Sequence, residues 1–205
     1  MSKPPVMEPP LPGWFGKIPN LGDFALRRLP DDFVRPWDDW LHDGMAQLRA
    51  ASGAPWSAAY LVAPILRFWI APGRLGDRGW AGLLMPSVDR VGRYYPLTIT
   101  RPLDALADAL AASHWFAALD ATARQALDEG FTAGDLEAGL QALPPLEPVS
   151  ACDAESRALA NRLLARCANP GTASVWWRDD AGAGFHCFEG LPSAAAFATM
   201  IGSTP

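Results

Sequence analysis

The sequence predicts a single layered domain of the α+β or α/β class, with a central, largely antiparallel or mixed sheet flanked by helices. Segments of helical periodicity occur before and after a group of short apolar runs rich in branched and aromatic residues, as expected for strands packed under helices. Half of the 205 residues are apolar and 19% are charged, which is enough to bury one core. We therefore expect residues 13–205 to form one domain. The proline-rich residues 1–12 should be a flexible lead-in.

The first helix is predicted over residues 31–50. Asp31 and Asp32 would face the positive end of the helix dipole, and Pro36 lies near the start, where proline is best tolerated. The apolar side chains recur at helical spacing, and we expect them to face the core: Phe33, Trp37, Trp40, Leu41, Met45 and Leu48.

Short apolar runs separated by Pro, Gly and Asp predict strands joined by tight loops. Four of them follow the first helix, at AAYLVAP (58–64), ILRFWIAPG (65–73), WAGLLMPS (80–87) and YYPLTITRP (94–102). Two later runs, ASVWW (173–177) and GFHCFEG (184–190), flank a turn. We expect these two strands to pair with each other and to rejoin the earlier sheet.

Four more helical segments are predicted, within residues 103–130, 133–142, 154–168 and 191–201. Ser113 is the expected N-cap before Trp115, and Gly130 the expected stop. Pro192 would lie in the first turn of the last helix. A proline-marked connector at residues 143–153 separates two of these helices.

Charge and hydropathy exclude several classes of protein. The net charge of −5 gives no overall attraction to nucleic acid. No run is apolar enough for a signal peptide or a membrane helix, so we expect a cytoplasmic protein without membrane insertion. The three cysteines, Cys152, Cys167 and Cys187, contain no close metal pair and should be reduced thiols.

The histidines do not indicate a metal site. His42, His114 and His186 fall on different predicted elements and lack the spacing that metal ligands use. We predict no metal, no cofactor and no catalytic residue.

The segment GWFGKIPNLGDF (13–24) is rich in glycine but meets neither nucleotide-binding spacing. Lys17 directly follows Gly16, yet Ile18 stands where a P-loop has Ser or Thr. Trp14 belongs either to the core or to an interface, since tryptophan is common in both.

The densest polar cluster lies between two predicted strands, at Ser87, Asp89, Arg90 and Arg93. An enzyme could use Ser87 as nucleophile or Asp89 as base, but no histidine or nucleophile elbow accompanies them. Alternatively, the arginines could bind a carboxylate or phosphate. We favour a third interpretation, in which Asp89 pairs with an arginine and fixes its own loop.

Five segments, taken in order, resemble the TagF family of type VI secretion accessory proteins over residues 13–200. They are GWFGKIPNLGDF, LPDDFVRPWDDWL, PWSAAYLVAPILRFWI, WAGLLMPSVDRVGRYYPLTI, and SVWWRDD followed by GLP. The most specific pieces are two blocks, one from Gly16 to Phe24 and one from Pro86 to Arg93.

The resemblance implies a non-catalytic bacterial regulator. Such a protein would repress type VI secretion assembly or activity after translation, by protein–protein binding. Its implied partners are type VI components, including a forkhead-associated scaffold protein and the Thr kinase and phosphatase pathway. Some family members are fused to the phosphatase, for which we expect no room in this chain.

The resemblance also suggests where a partner would bind. We expect the glycine-rich segment to turn tightly against the sheet with Phe15, Ile18 and Phe24 packed below it. Lys17 and Asp23 would then share one surface with the loop 87–93. The predicted partner-binding residues are Trp14, Lys17, Asp23, Ser87, Asp89, Arg90 and Arg93. The alternative function is an anion or phosphopeptide sensor that uses the loop from Asp89 to Arg93.

Overall fold

The chain folds around one antiparallel sheet. A computed structural model describes residues 11–52, 56–128, 130–146, 154–179 and 184–202. The strand order is β2-β1-β5-β4-β3-β6-β7, and every neighbouring pair is antiparallel. The strands are β1 (Gly13–Gly16), β2 (Ala25–Arg27), β3 (Leu66–Ile70), β4 (Trp80–Met85), β5 (Leu97–Pro102), β6 (Ala173–Trp177) and β7 (His186–Glu189). The predicted fold class is confirmed, and the two late strands pair with each other and join the sheet through β3.

Helices cover both faces of this sheet. The helices are α1 (Asp31–Ser52), α2 (Trp56–Leu61), α3 (Leu106–Ala111), α4 (Ser113–Gln125), α5 (Ala133–Gln141), α6 (Ala154–Leu164) and α7 (Ala194–Gly202). α1, α2 and α7 pack on one face. α3 to α6 pack on the other, so the sheet is the middle of three layers.

Strand residues alternate between the two cores. Phe68 of β3 faces α1 and α7, whereas Trp69 faces the α3–α6 layer. Because both faces are covered, every residue of β3, β4 and β6 is buried. Of the two tryptophans of the first helix predicted to face the core, Trp37 is fully buried and Trp40 is half-buried.

The prediction of a strand at residues 58–64 is wrong. Residues 56–61 form α2 instead, because Trp56 and Tyr60 lie one helical turn apart and pack as an aromatic pair, with Tyr60 buried in the core. In addition, β1 and β2 lie in a segment for which no strand was predicted. Both are very short and depend on pairing with distant β5 and with each other.

Several predicted helix ends are also displaced. Ala112, not Ser113, is the N-cap of α4, and its side chain makes no capping hydrogen bond. That helix ends at Gln125, before Gly130, and the backbone N–H groups of Leu127 and Asp128 donate to carbonyls three residues back instead of four. Pro192 precedes α7 by two residues rather than lying in its first turn.

Some predictions fall outside the described residues. These are most of the lead-in at residues 1–12, Cys152, and parts of the connector at 143–153 and of the turn at 178–184. Among the described cysteines, Cys167 is buried and Cys187 half-buried, and both are free thiols. None of the described helices is long and apolar enough to cross a membrane.

Candidate functional site

The two specific blocks meet at one end of the sheet. β1 and β4 lie on either side of β5, and both end beside its first residues. Phe15 of β1 is opposite Thr98, and Met85 of β4 is opposite Leu97. The loop after β1 (17–24) and the loop after β4 (86–96) therefore lie side by side. We call these two loops, together with Leu127, two residues after the end of α4, the loop-end surface.

Gly16 allows the close approach of the two loops. Its φ of +131° is a conformation that other residues rarely adopt. A Cβ at this position would lie 2.1 Å from the carbonyl oxygen of Pro96 in the other loop. The glycine is therefore required by the backbone contact, and it does not serve to cradle a phosphate.

A buried ion network joins the loops. The carboxylate of Asp89 is fully buried and accepts hydrogen bonds from Lys17 Nζ at 2.8 Å and Arg93 Nε at 2.7 Å. Backbone N–H groups of Val91 and Arg93 donate to its other oxygen. Burial acts to raise the pKa of Asp89, but these hydrogen bonds outweigh it and hold the pKa well below its usual range. Asp89 is thus an ionised brace between the two loops.

Further hydrogen bonds tighten the same junction. Ser87 Oγ donates to the carbonyl oxygen of Lys17 at 2.7 Å. The backbone N–H of Arg90 donates to the carbonyl oxygen of Leu21 at 3.2 Å. The hydroxyl of Tyr60 in α2 accepts from the Ser87 N–H and donates to the Ser87 carbonyl. The loops therefore form one rigid unit that is also anchored to α2.

The proximity of the two blocks is confirmed, but Lys17 is not at the surface as expected. Asp89 and the ring of Phe24, whose centroid lies 4.7 Å from Lys17 Nζ, enclose its ammonium group. Ser87 and Asp89 are also buried. The interpretation of Asp89 as a residue that fixes its loop through an arginine is confirmed, with a lysine as an additional partner.

Trp14 is a core residue and not an exposed anchor. Its side chain is fully buried, and the indole N–H donates to Glu137 Oε1 of α5 at 2.7 Å. Trp176 and Trp177 of β6 are buried as well. Of the predicted partner-binding residues, Asp23, Arg90 and Arg93 are exposed, and their role in binding stays a prediction.

The chemistry available at this site is limited. The Ser87 hydroxyl is buried and already donates to a carbonyl, and Asp89 is occupied by two cations. Among the described residues, no three His, Cys, Asp or Glu side chains are grouped so that they could hold a metal ion. The network is a structural brace, and the groups that remain accessible lie around it.

Those accessible groups include large apolar side chains that the sequence did not reveal. Phe24, expected to be packed below the loop, is 47% exposed, because its ring stacks on Phe15 and meets Tyr95 edge-to-face with only part of its surface. Val91 is 65% exposed and Leu127 43% exposed. Leu127 borders a cleft of about 470 Å³ whose other walls include Pro19, Asn20, Val88 and Arg90.

Comparison with known proteins places the chain among type VI secretion proteins. Residues 13–143 match the TagF N-terminal domain, type VI secretion system-associated. The crystal structure of PA0076 from Pseudomonas aeruginosa PAO1 is similar, with a TM-score of 0.76 and 34% sequence identity over 93% of each chain. The comparison with curated proteins gave no match. The resemblance seen in the sequence is confirmed, and the chain belongs to the TagF family of type VI secretion system-associated proteins.

Proposed function

We propose that this chain represses type VI secretion after translation, without catalysis, by binding a protein of that system in the bacterial cytoplasm. Membership of the TagF family identifies type VI secretion as the system in which the chain acts. The observation that carries the binding proposal is the loop-end surface, where exposed Phe24, Arg90 and Val91 stand on loops braced by a buried ion network. A surface that is already ordered loses less entropy when a partner binds.

The composition of this surface suits a protein partner. Apolar side chains from three separate segments, Phe24, Val91 and Leu127, are exposed together with arginines. Exposed apolar groups rimmed by polar ones are typical of protein interaction sites. Over the two loops, Lys17, Arg90 and Arg93 exceed Asp23 and Asp89 by one positive charge. This local excess on a chain of net charge −5 favours an acidic partner surface.

A non-catalytic role agrees with the buried state of the candidate nucleophile and base. Ser87 and Asp89 would have to leave their hydrogen bonds before they could touch a substrate. The phosphopeptide alternative is less favoured, because Arg93 already donates to Asp89 and to the carbonyl of Gly22, which leaves Arg90 to hold the phosphate. We therefore propose recognition of a folded protein surface, with the forkhead-associated scaffold of the Thr kinase and phosphatase pathway as the partner.

The test compares two double variants in a strain that lacks the endogenous gene. Arg90→Glu with Val91→Glu changes the loop-end surface, whereas Leu11→Glu with Arg35→Glu makes equivalent changes at exposed positions away from it. Deletion should raise the release of type VI substrates into the medium, and the wild type and the control should restore low release. The loop-end variant should fail to do so although it is folded. Unchanged release on deletion would refute repression.

A binding measurement with the purified scaffold protein tests the identity of the partner separately from the repressor role. Calorimetry should detect binding by the wild type and the control, and binding at least about tenfold weaker by the loop-end variant, equivalent to ~1.4 kcal/mol. If repression requires the loop-end surface but the scaffold does not bind, the partner assignment is wrong and the repressor proposal stands.

A further inference from the structure

Three cationic side chains are buried in the part of the chain that the structure describes: Lys17, Arg67 and Arg101. Lys17 and Arg67 each form an ion pair with a buried aspartate, at 2.8 and 2.7 Å. Arg101 of β5 is 7% exposed, and its guanidinium makes no hydrogen bond or ion pair within the described residues. Its Nε is closed off from solvent and has no acceptor there. Arg101 is therefore a buried cation without a counter-charge in the described part of the chain.

The side chain of Arg101 faces the α3–α6 layer. It alternates along β5 with Leu97 and Ile99, which belong to the core on that side of the sheet. Its guanidinium carbon lies 6.0 Å from the ring centroid of Trp115 in α4. Arg101 is near the end of β5, whereas the loop-end surface adjoins the start of that strand. The two regions therefore lie at opposite ends of the sheet.

Acidic side chains in the adjoining loop and on the α3–α6 layer pair with other arginines. Three such pairs are present: Asp104 with Arg78, Asp120 with Arg67 and Glu137 with Arg28. Burial lowers the pKa of the Arg101 guanidinium, and no neighbouring carboxylate acts against this effect. Arginine nevertheless stays protonated in proteins, so the buried charge remains. An anion from outside the described residues would offset the cost of burying that charge.

The first turn of α4 adds a second positive group beside Arg101. Trp115 is the third residue of this 13-residue helix, so the guanidinium packs against the helix at its N-terminal end. The N-cap, Ala112, makes no side-chain capping hydrogen bond, and the first turn contains no acid. The unpaired N–H groups at a helix start are equivalent to about half a positive charge. Two positive groups thus meet where the described residues supply no anion, an arrangement that favours an anionic ligand.

The charge and shape of this position favour a carboxylate over a phosphate. One guanidinium and one helix end supply roughly 1.5 positive charges, which exceed the charge of a carboxylate but not the −1.5 to −2 of a phosphate group. Excess negative charge would be costly at a position that is mostly closed to water. The planar guanidinium also matches a planar carboxylate, to which it can donate two parallel hydrogen bonds.

We propose that Arg101 and the first turn of α4 form a binding site for a carboxylate group. Because Arg101 is only 7% exposed, the ligand is compact, either a free organic acid or the acidic side chain of a protein. This site is separate from the loop-end surface in its residues, and it does not depend on the repressor function.

The first probe is acetate, tested by thermal denaturation of the full chain at pH 7 against sodium chloride of equal ionic strength. A ligand that binds only the folded state raises the melting temperature as its concentration rises. We expect a saturable rise for the wild type and for the control Arg35→Met, whose arginine is 80% exposed on α1. Arg101→Met should show no saturable rise. An equal rise in Arg101→Met, or none in the wild type, would overturn the proposal.

The stability of Arg101→Met without acetate tests the missing counter-charge separately. The methionine replaces an unpaired buried charge with an apolar chain, so this variant should be at least as stable as the wild type. A marked loss of stability would show that Arg101 already has a counter-charge within the chain, and it would overturn the proposal. Arg101→Lys is a second variant, which keeps the charge and loses the planar donor geometry. It should bind acetate at least about tenfold more weakly than the wild type.

Two further probes identify the chemistry and the source of the ligand. Glutamate with its amino and α-carboxyl groups both capped represents an acidic side chain of a protein. Binding of this compound as tight as that of acetate would support the site and assign it to a protein ligand, whereas binding of acetate alone would support a free organic acid. Inorganic phosphate that binds more tightly than either carboxylate would overturn the assignment to a carboxylate.

Discussion

Replacement of Asp89 with asparagine should lower the free energy of unfolding by about 3–5 kcal/mol, the usual cost of breaking a buried ion pair from one side. The side chains of Lys17 and Asp89 are 5% and 0% exposed, so the variant leaves an ammonium group buried beside a neutral amide. The asparagine also loses the charge-assisted bond from Arg93 Nε. For a chain of this size, the melting temperature should fall by about 6–20 °C.

Urea denaturation at pH 7 and 25 °C, followed by tryptophan fluorescence, measures this cost. Asp31→Asn is the matched control: Asp31 is 79% exposed and pairs with Arg35 on the helix surface, so its loss should cost less than about 1 kcal/mol. Adding Lys17→Met to Asp89→Asn should restore part of the stability, because the unpaired ammonium is removed. A cost for Asp89→Asn no greater than that of the control would refute the role of the buried brace.

The same network predicts a dependence on pH. The pKa of Asp89 is lowered in the folded protein, so its stabilising contribution is fully present above the unfolded-state pKa of about 3.9. That contribution is lost as the pH falls through the folded-state pKa. The difference in unfolding free energy between wild type and Asp89→Asn should therefore shrink from pH 5 toward pH 3. A difference that stays constant over this range would contradict the assignment.

Three other changes probe the framework, each measured by urea denaturation. Gly16→Ala should cost more than about 3 kcal/mol, because its methyl group would clash with the carbonyl oxygen of Pro96 in the other loop. The control Gly92→Ala is also at positive φ but has open space around it, so it should cost only ~1–2 kcal/mol. Equal costs for the two variants would contradict the close approach of the loops. Trp14→Phe should cost about 2–4 kcal/mol, since it leaves a cavity and removes the indole hydrogen bond to Glu137, which keeps its ion pair with Arg28; a cost below ~1 kcal/mol would argue against a core role. Arg67 forms a buried ion pair with Asp120 of α4 at 2.7 Å, and Arg67→Met should cost about 3–5 kcal/mol at pH 7. The cost should be smaller at pH 5, because burial raises the pKa of Asp120 and the unpaired carboxyl can then become neutral. A cost that does not change with pH would contradict this ion pair.

The fold was predictable where local pattern and final burial agree. The apolar spacing of α1 and the content of branched and aromatic residues in β3 to β6 are visible in the sequence, because each extends over a full element. β1 was not predictable, because four residues with two glycines gain a strand conformation only by pairing with β5, about 85 residues later. Residues 58–64 have strand-like composition, but the contact of Trp56 with Tyr60 requires a helix.

The site was predictable in its position and not in its exposure. The two blocks were expected to meet, and they do. Lysine and aspartate are usually at the surface, so the sequence gives no sign that Lys17 and Asp89 are buried together across 72 residues. Conversely, Leu127 has the spacing of a core residue in a predicted helix, yet α4 ends before it and leaves it exposed.

Affinity capture from the cytosol of the host is the most direct test of the proposed function. Tagged wild type, the Arg90→Glu with Val91→Glu variant, and the Leu11→Glu with Arg35→Glu control would be compared at equal folded concentration, with bound proteins quantified by mass spectrometry. The proposal predicts that wild type and control retain a type VI secretion component and that the loop-end variant loses it. Equal capture by all three, or no type VI component with the wild type, would contradict binding through this surface.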